Sequence, residues 1–408
     1  MRKLELLAPA GDLEKLKVAI DYGADAVYFA GEMFGLRASA GNLSIPEIRE
    51  GMEYAHAHGA RGYMAVNIIA HNEDIDRLGG FLSEIKDIPI DAFIISDPGI
   101  IYMLREQMPY AEIHLSTQAN TTNYLSARFW SENGVKRIIA AREMSLSELK
   151  EFREKIPDDM ELEAFVHGAM CISYSGRCLL SNFMINRDAN RGECAHPCRW
   201  KYSLMEEKRP GEYFPIEEDE RGTYIMNSKD LCMIEHIPEL FESGISSAKI
   251  EGRMKSVFYV ASVVRAYRAA IDAYQADPSN YTFFNDWKDE LCKVSHRHFT
   301  TGFYFNKPSH EDQNYETSSY IKDYVFLGIV RSYDPTTKFA EIEQRNRILT
   351  GDTIEIFGPG EGFFEQVVEE MYDNNGMRIE SAPHAQQIIR IKMLQPVGKT
   401  YILRKKKM

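Results

Sequence analysis

LELLAPAGDLEKLKVAIDYGADAVYFA, residues 4–30, runs through an apolar strand, an amphipathic helix and a second apolar strand in one short passage. Leu4 to Leu7 forms the first run. Asp12 can cap a helix reaching Tyr22, along which Leu13, Leu16, Val18 and Ile20 mostly share a face, and Gly23 stands where a left-handed stop is needed. Ala26 to Ala30 is the next strand, which completes a βαβ unit of a parallel sheet. The alternation continues to about residue 270, with apolar runs at Gly62 to Val66, Ala92 to Ile95, Glu112 to Leu115, Arg137 to Ala141, Leu162 to Val166 and Ala248 to Ile250. Eight strands are the number that closes a barrel. Ser44 with Pro46, and the capping box Ser145-x2-Glu148, open two further helices; Gly59 and Gly134 close others.

The expected class is therefore α/β, a TIM-type (β/α)8 barrel, open to distortion, over residues 1–275. It carries a cysteine-rich insertion at about 168–224. A connector at 276–318 leads to a small C-terminal β-barrel at 319–408, where YVFLGIVRSYD, KFAEIEQRN, GDTIEIFG and QIIRIKML give a strand-turn rhythm.

Of the 408 residues 44% are hydrophobic and 27% charged, and no apolar run is long enough to cross a bilayer. The N-terminal MRKLELLAPAG shows no secretory pattern, so a cytoplasmic protein without a membrane partner is expected. A net charge of −13 excludes a surface that grips nucleic acid everywhere; RNA contact would have to be local. A non-enzymatic RNA-binding scaffold would be more basic.

Four of the six cysteines fall between Ala164 and Tyr202, spaced Cys171-x6-Cys178-x15-Cys194-x3-Cys198. Structural zinc usually uses tight Cys-x2-Cys knuckles, absent here. Wider, irregular spacing suits an iron–sulfur cluster, while zinc and reduced core thiols stay open on spacing alone. Cys292 reads as a buried thiol.

Residues just past barrel strands face the mouth where such folds place their chemistry. Here they are Pro9, Gly11, Asp12, Gly31, Asn67, Asp97, Ser116, Gln118, Arg142, Glu143, His167, Glu251 and Arg253. Strand ends also turn polar simply by meeting water. The opposite charges Arg142, Glu143, Glu251 and Arg253 at two strand ends could hold a carboxylate and supply a general acid or base, with Glu143, Glu251 and His167 as catalytic candidates. Asn67, Ser116 and Gln118 are pocket candidates. His167 reads equally as a hydrogen-bonded core residue.

The run Glu163-x-Phe165-x-His167-Gly168-Ala169-Met170-Cys171, with Ser175-Gly176-Arg177-Cys178-x-Leu180-Ser181, resembles the signature of the collagenase-like peptidases of unassigned catalytic type. Asn190-Arg191-Gly192-x-Cys194-x3-Cys198-Arg199-Trp200 is most similar to the branch of that family making 5-hydroxyuridine at the wobble position of tRNA. LLAPAG at Leu6 to Gly11, HLSTQAN at His114 to Asn120 and KIEGRMKS at Lys249 to Ser256 extend the match over most of the chain. The resemblance implies a four-iron four-sulfur (4Fe-4S) cluster on Cys171, Cys178, Cys194 and Cys198, with Cys232 as the alternate fourth ligand. It further implies tRNA as partner, prephenate as hydroxyl source with Arg142 or Arg253 as carboxylate clamp, and for some relatives a homologous second subunit. Peptidase activity is the alternative carried by the family's older name, although neither His-Glu-x-x-His nor Gly-x-Ser-x-Gly occurs. Oxygen-independent quinone-ring hydroxylation is a third reading.

Two stretches stay ambivalent. Ser295 to Phe305 interleaves basic and aromatic groups that either stack bases or pack as a connector. Arg404 to Lys407 reads as a solvated basic tail, with RNA contact as the other option.

Overall fold

The computed structural model describes residues 3–34, 42–170, 229–306, 320–360 and 362–407, with residues 181, 184, 187, 203, 204, 214 and 215 between them. Among these, eight parallel strands close into a ring: Glu5–Pro9, Ala26–Phe29, Arg61–Val66, Ala92–Ile95, Ile113–Leu115, Arg137–Ile139, Glu161–Ala169 and Ser247–Ile250. The first pairs with both the second and the eighth, and the eighth pairs with the seventh, Ser247 opposite Glu163. Every predicted strand is present, its ends shifted by a few residues.

The helices begin where the sequence places their caps. Asp12 accepts from the Lys15 amide at 2.8 Å, and Ser44 and Ser145 sit in capping boxes with Glu47 and Glu148. The long helix Val257–Ala276 packs across the barrel's outside, where Tyr259, Val260, Val263 and Tyr267 are buried.

Sequence reading missed one strand. Asp230–Cys232 pairs antiparallel with the seventh barrel strand, Asp230 opposite Ala169, and Phe299–Thr300 adds parallel to it. Three residues carry too short a period to be seen in isolation. This pairing matters for what lies between: the chain leaves the barrel after Met170 and returns at Lys229, both ends fastened side by side. The excursion expected after Tyr202 contains the antiparallel pair Ser203–Leu204 and Phe214–Pro215.

The C-terminal strands, from Tyr324–Asp334 to Ile402–Lys406, build an eight-stranded antiparallel half-barrel around Leu327, Ile342, Ile354, Ile389 and Leu403. Here the expected solvated tail is corrected. Arg404 is fully buried, its guanidinium held by Glu290 of the helix Asn285–Cys292 and by Glu355 at 2.8 Å, and Lys405 pairs with Asp352 at 2.8 Å. Cross-domain contacts also include the Tyr22 hydroxyl donating to the Thr400 carbonyl at 3.0 Å. The Ser295 to Phe305 stretch is likewise a packed connector, since His296 and Arg297 are buried and Arg297 lies 3.5 Å from Asp230. No helix among the described residues is long and apolar enough to cross a membrane.

Candidate active site at the barrel mouth

The barrel's lumen is charged, which no single strand announces. Glu5, Arg137, Glu163 and Lys249 point inward from the first, sixth, seventh and eighth strands. Arg137 lies 2.6 Å from Glu5 and 3.0 Å from Glu163, and Lys249 lies 2.7 Å from Glu163. Tyr63 and Ser247 donate to Glu5 at 2.6 and 2.8 Å. Burial pushes both carboxyls upward, but Arg137 for Glu5, and Lys249 with Arg137 for Glu163, more than offset this and leave each below the usual range. Burial pulls the Lys249 amine down, with Glu163 opposing. Each charge here depends on its neighbour.

Above this layer, toward the strands' carboxyl ends, Arg142 and Glu251 come together. Their side chains are 3.6 Å apart, longer than a tight charge-assisted bond. Arg142 also donates to the Ala169 carbonyl at 3.1 Å and lies 3.9 Å over the Phe165 ring. Lys249 sits 4.4 Å from the Tyr28 ring centre, and the Tyr28 hydroxyl is 3.5 Å from Glu251. The guanidinium is thus aimed from two sides while its ion-pair contact stays loose, so an incoming carboxylate can compete for it.

Asn67, Ser116 and Gln118 form a second polar group, with the Asn67 amide 3.5 Å from the Ser116 hydroxyl and the Gln118 amide N–H at 3.4 Å. Among the described residues, Gln118 Oε1 and Glu143 Oε2 are buried without a hydrogen-bond donor. Burial raises the Glu143 carboxyl above its ordinary range, a setting for a proton donor. Arg253 is buried beside the first strand's end, where its carbonyl would meet a Cβ at Gly11 at 2.1 Å.

His167 departs from this group. Strict alternation from Glu163 and Phe165 would carry it into the lumen, but the register slips between Lys249 and Ile250 and pairs His167 with Ile250. The ring turns outward, among Tyr259, Tyr267 and Phe299. Burial holds its pKa down to about 3. An imidazole neutral in the fold and protonated in the unfolded chain costs stability on acidification: from pH 6.5 down to about 3 the native state binds fewer protons and loses about 1.4 kcal/mol per pH unit to this group. His167→Phe should flatten that part of the stability–pH curve, measured by urea midpoints between pH 7 and 5.

Gly168, at φ 108°, follows this slip; a Cβ there would lie 2.4 Å from the Glu251 carbonyl oxygen. Gly168→Ala is expected to cost about 2–3 kcal/mol, visible in the thermal midpoint, and to displace Glu251 from Arg142.

The cysteine ligands inferred from resemblance, Cys171, Cys178, Cys194 and Cys198, lie outside the described residues. Their segment leaves from the rim that carries Ala169 and Arg142. Cys232 is described: buried opposite His167, 4.0 Å from the Tyr267 hydroxyl, its thiol pushed up to about 12 by burial. Burial thus keeps this thiol protonated in the metal-free fold. Cys292 is partly buried.

Comparison with known proteins covers both parts of the chain. A model of peptidase family U32 matches residues 11–314, and one of the peptidase family U32 C-terminal domain matches residues 322–404. A protein of Bacillus subtilis (strain 168) named tRNA hydroxylation protein P1 is 44% identical over 406 residues, covering 100% of this chain and 96% of its own length. An Escherichia coli (strain K12) protein named tRNA hydroxylation protein P is 37% identical, covering 94% of this chain and 92% of its own. A protein of Porphyromonas gingivalis named Collagenase is 33% identical, covering 90% and 89%.

Proposed function

This chain belongs to peptidase family U32, and from that premise we propose that it acts on tRNA, hydroxylating the wobble uridine to 5-hydroxyuridine, rather than on peptide bonds. The observation that carries the reading is the 44% identity, over both domains without a gap in coverage, to a relative named for tRNA hydroxylation. The relative named Collagenase is more distant.

The barrel mouth supports the reading by its chemistry. Arg142 offers a planar fork to a small carboxylate, for which prephenate is the proposed hydroxyl source, and Asn67, Ser116 and Gln118 offer polar partners to its remaining oxygens. Glu143, its acid form favoured by burial, would hold the proton for transfer, with Glu251 releasing Arg142 as the ligand arrives. A four-iron four-sulfur cluster on Cys171, Cys178, Cys194 and Cys198 would supply electron transfer when bound. The place of action would be the cytoplasm, where tRNA is found.

The test is the nucleoside mass spectrum of tRNA from a deletion strain that has no second hydroxylation route. Loss of 5-hydroxyuridine and its derivatives is expected. Unchanged levels, together with gelatin cleavage by the purified protein, would return the assignment to a peptidase.

A further inference from the structure

The half-barrel turns one face to its own core and the other to solvent, and the solvent face is unlike the rest of this acidic chain. Across neighbouring strands Glu341, Arg390, Tyr372 and Arg378 lie directly opposite one another, and Phe339 lies opposite Lys392. Direct partners share a face, as do positions two apart along a strand. The alternate positions Ala340, Ile342, Met371, Ile389 and Ile391 are buried beneath them.

Phe339 and Tyr372 meet edge to face with ring centres 5.6 Å apart. Arg378 and Lys392 are exposed and Arg390 half-buried around that pair. Several cations elsewhere in this domain are matched: Arg404 by Glu290 and Glu355, Lys405 by Asp352, Arg331 and Arg345 by Glu14 and Glu343. Among the described residues Arg378, Arg390 and Lys392 have no such ion pair, and Arg390 Nε is buried without an acceptor. Glu341 is turned to Ser332 and Glu370 to the Tyr372 hydroxyl, at 2.7 and 2.9 Å.

We propose that this face docks RNA, the three cations taking phosphates and the Tyr372–Phe339 pair stacking an unpaired base. Uncompensated cations round a ring are the combination that single-stranded RNA uses, a phosphate track beside a stacking platform. An acidic peptide would use the charges but leave the rings idle. The position suits a substrate shared with the barrel. Glu343, on the same strand face, belongs to the ion-pair group that holds Glu14, and Glu14 opens the helix just past the first strand's carboxyl end. Phe339 is therefore about 14 Å along that strand from a contact at the mouth's rim.

The inference rests on tRNA being the substrate, so binding is measured apart from modification. Full-length protein is titrated with unmodified tRNA across 50–200 mM salt. For Arg378→Ala/Arg390→Ala/Lys392→Ala the slope of log K against log salt should shrink by about 2–3, and affinity at 100 mM should fall about 30-fold. Tyr372→Ala should lose about five- to 150-fold with its salt slope kept. A control triple at exposed barrel cations, Arg49→Ala/Lys86→Ala/Lys150→Ala, removes the same charge and should leave both quantities nearly unchanged. Equal losses in the two triples, an unaltered slope in the first, or displacement by polyglutamate as readily as by tRNA would overturn the proposal. Tight tRNA binding by the first triple would defeat this surface and leave the hydroxylation reading intact, while unchanged nucleosides in the deletion strain defeat that reading itself.

Discussion

Arg137→Ala is expected to lower the stability of the barrel by about 3–5 kcal/mol, the cost of removing one partner from a buried charge group. The guanidinium is almost wholly enclosed and touches Glu5 and Glu163, the latter with no exposed side-chain surface. Without it, among the described residues Glu5 keeps the Tyr63 and Ser247 hydroxyls, and Glu163 keeps Lys249. Two carboxylates then share a lumen with one ammonium, so one must take up a proton or draw in water. The measurement is the urea midpoint at pH 7 against the wild type, repeated at pH 5. Acid should narrow the difference, because protonating a stranded carboxylate relieves the variant and not the parent. An Arg137→Met/Glu5→Gln double variant should recover part of the loss. A midpoint unmoved in Arg137→Ala would mean that the lumen is wet enough to screen these charges.

The same group marks the boundary of what the sequence discloses. Strand positions were legible because each apolar run ends at a cap or a stop, such as Asp12 and Gly23 around the first helix. The mouth was legible as a set of positions, and Arg142 with Glu251, or Asn67 with Ser116, are pairs that strand ends bring together. Which way a side chain points was not. Glu5, Arg137, Glu163 and Lys249 lie far apart in the chain, and only the closed register shows that they share one interior. The signal available was a charge placed among apolar strand residues, repeated in four strands. His167 takes the core alternative that the sequence left open beside a catalytic one: it is buried with the Tyr267 hydroxyl 3.4 Å from its Nδ1. The register slip that turns it from the lumen could not be read from a single strand. Arg404 was misplaced because a basic C-terminus looks solvated unless its acceptor, Glu290, is known to lie beneath it.

Serine at Cys198 should strip the protein of iron, of its brown colour and of tRNA hydroxylation, while serine at Cys232 should leave all three. A cluster is held by thiolates, and a thiol is available as a ligand to the extent that its proton leaves readily and its sulfur can reach the metal. Cys232 is the less available of the two in the metal-free fold. Its thiol is pushed up to about 12 by burial, and the Tyr267 hydroxyl that contacts its sulfur also donates to the Val166 carbonyl, which ties both to the barrel wall. Cys232 also sits on the strand that fastens the returning end of the cysteine segment, opposite His167. Cys171, Cys178, Cys194 and Cys198 all belong to the stretch of sequence between those fastenings. Iron per chain and visible absorption of anaerobically purified variants decide the matter. Iron retained without Cys198 and lost without Cys232 would reverse the ligand set.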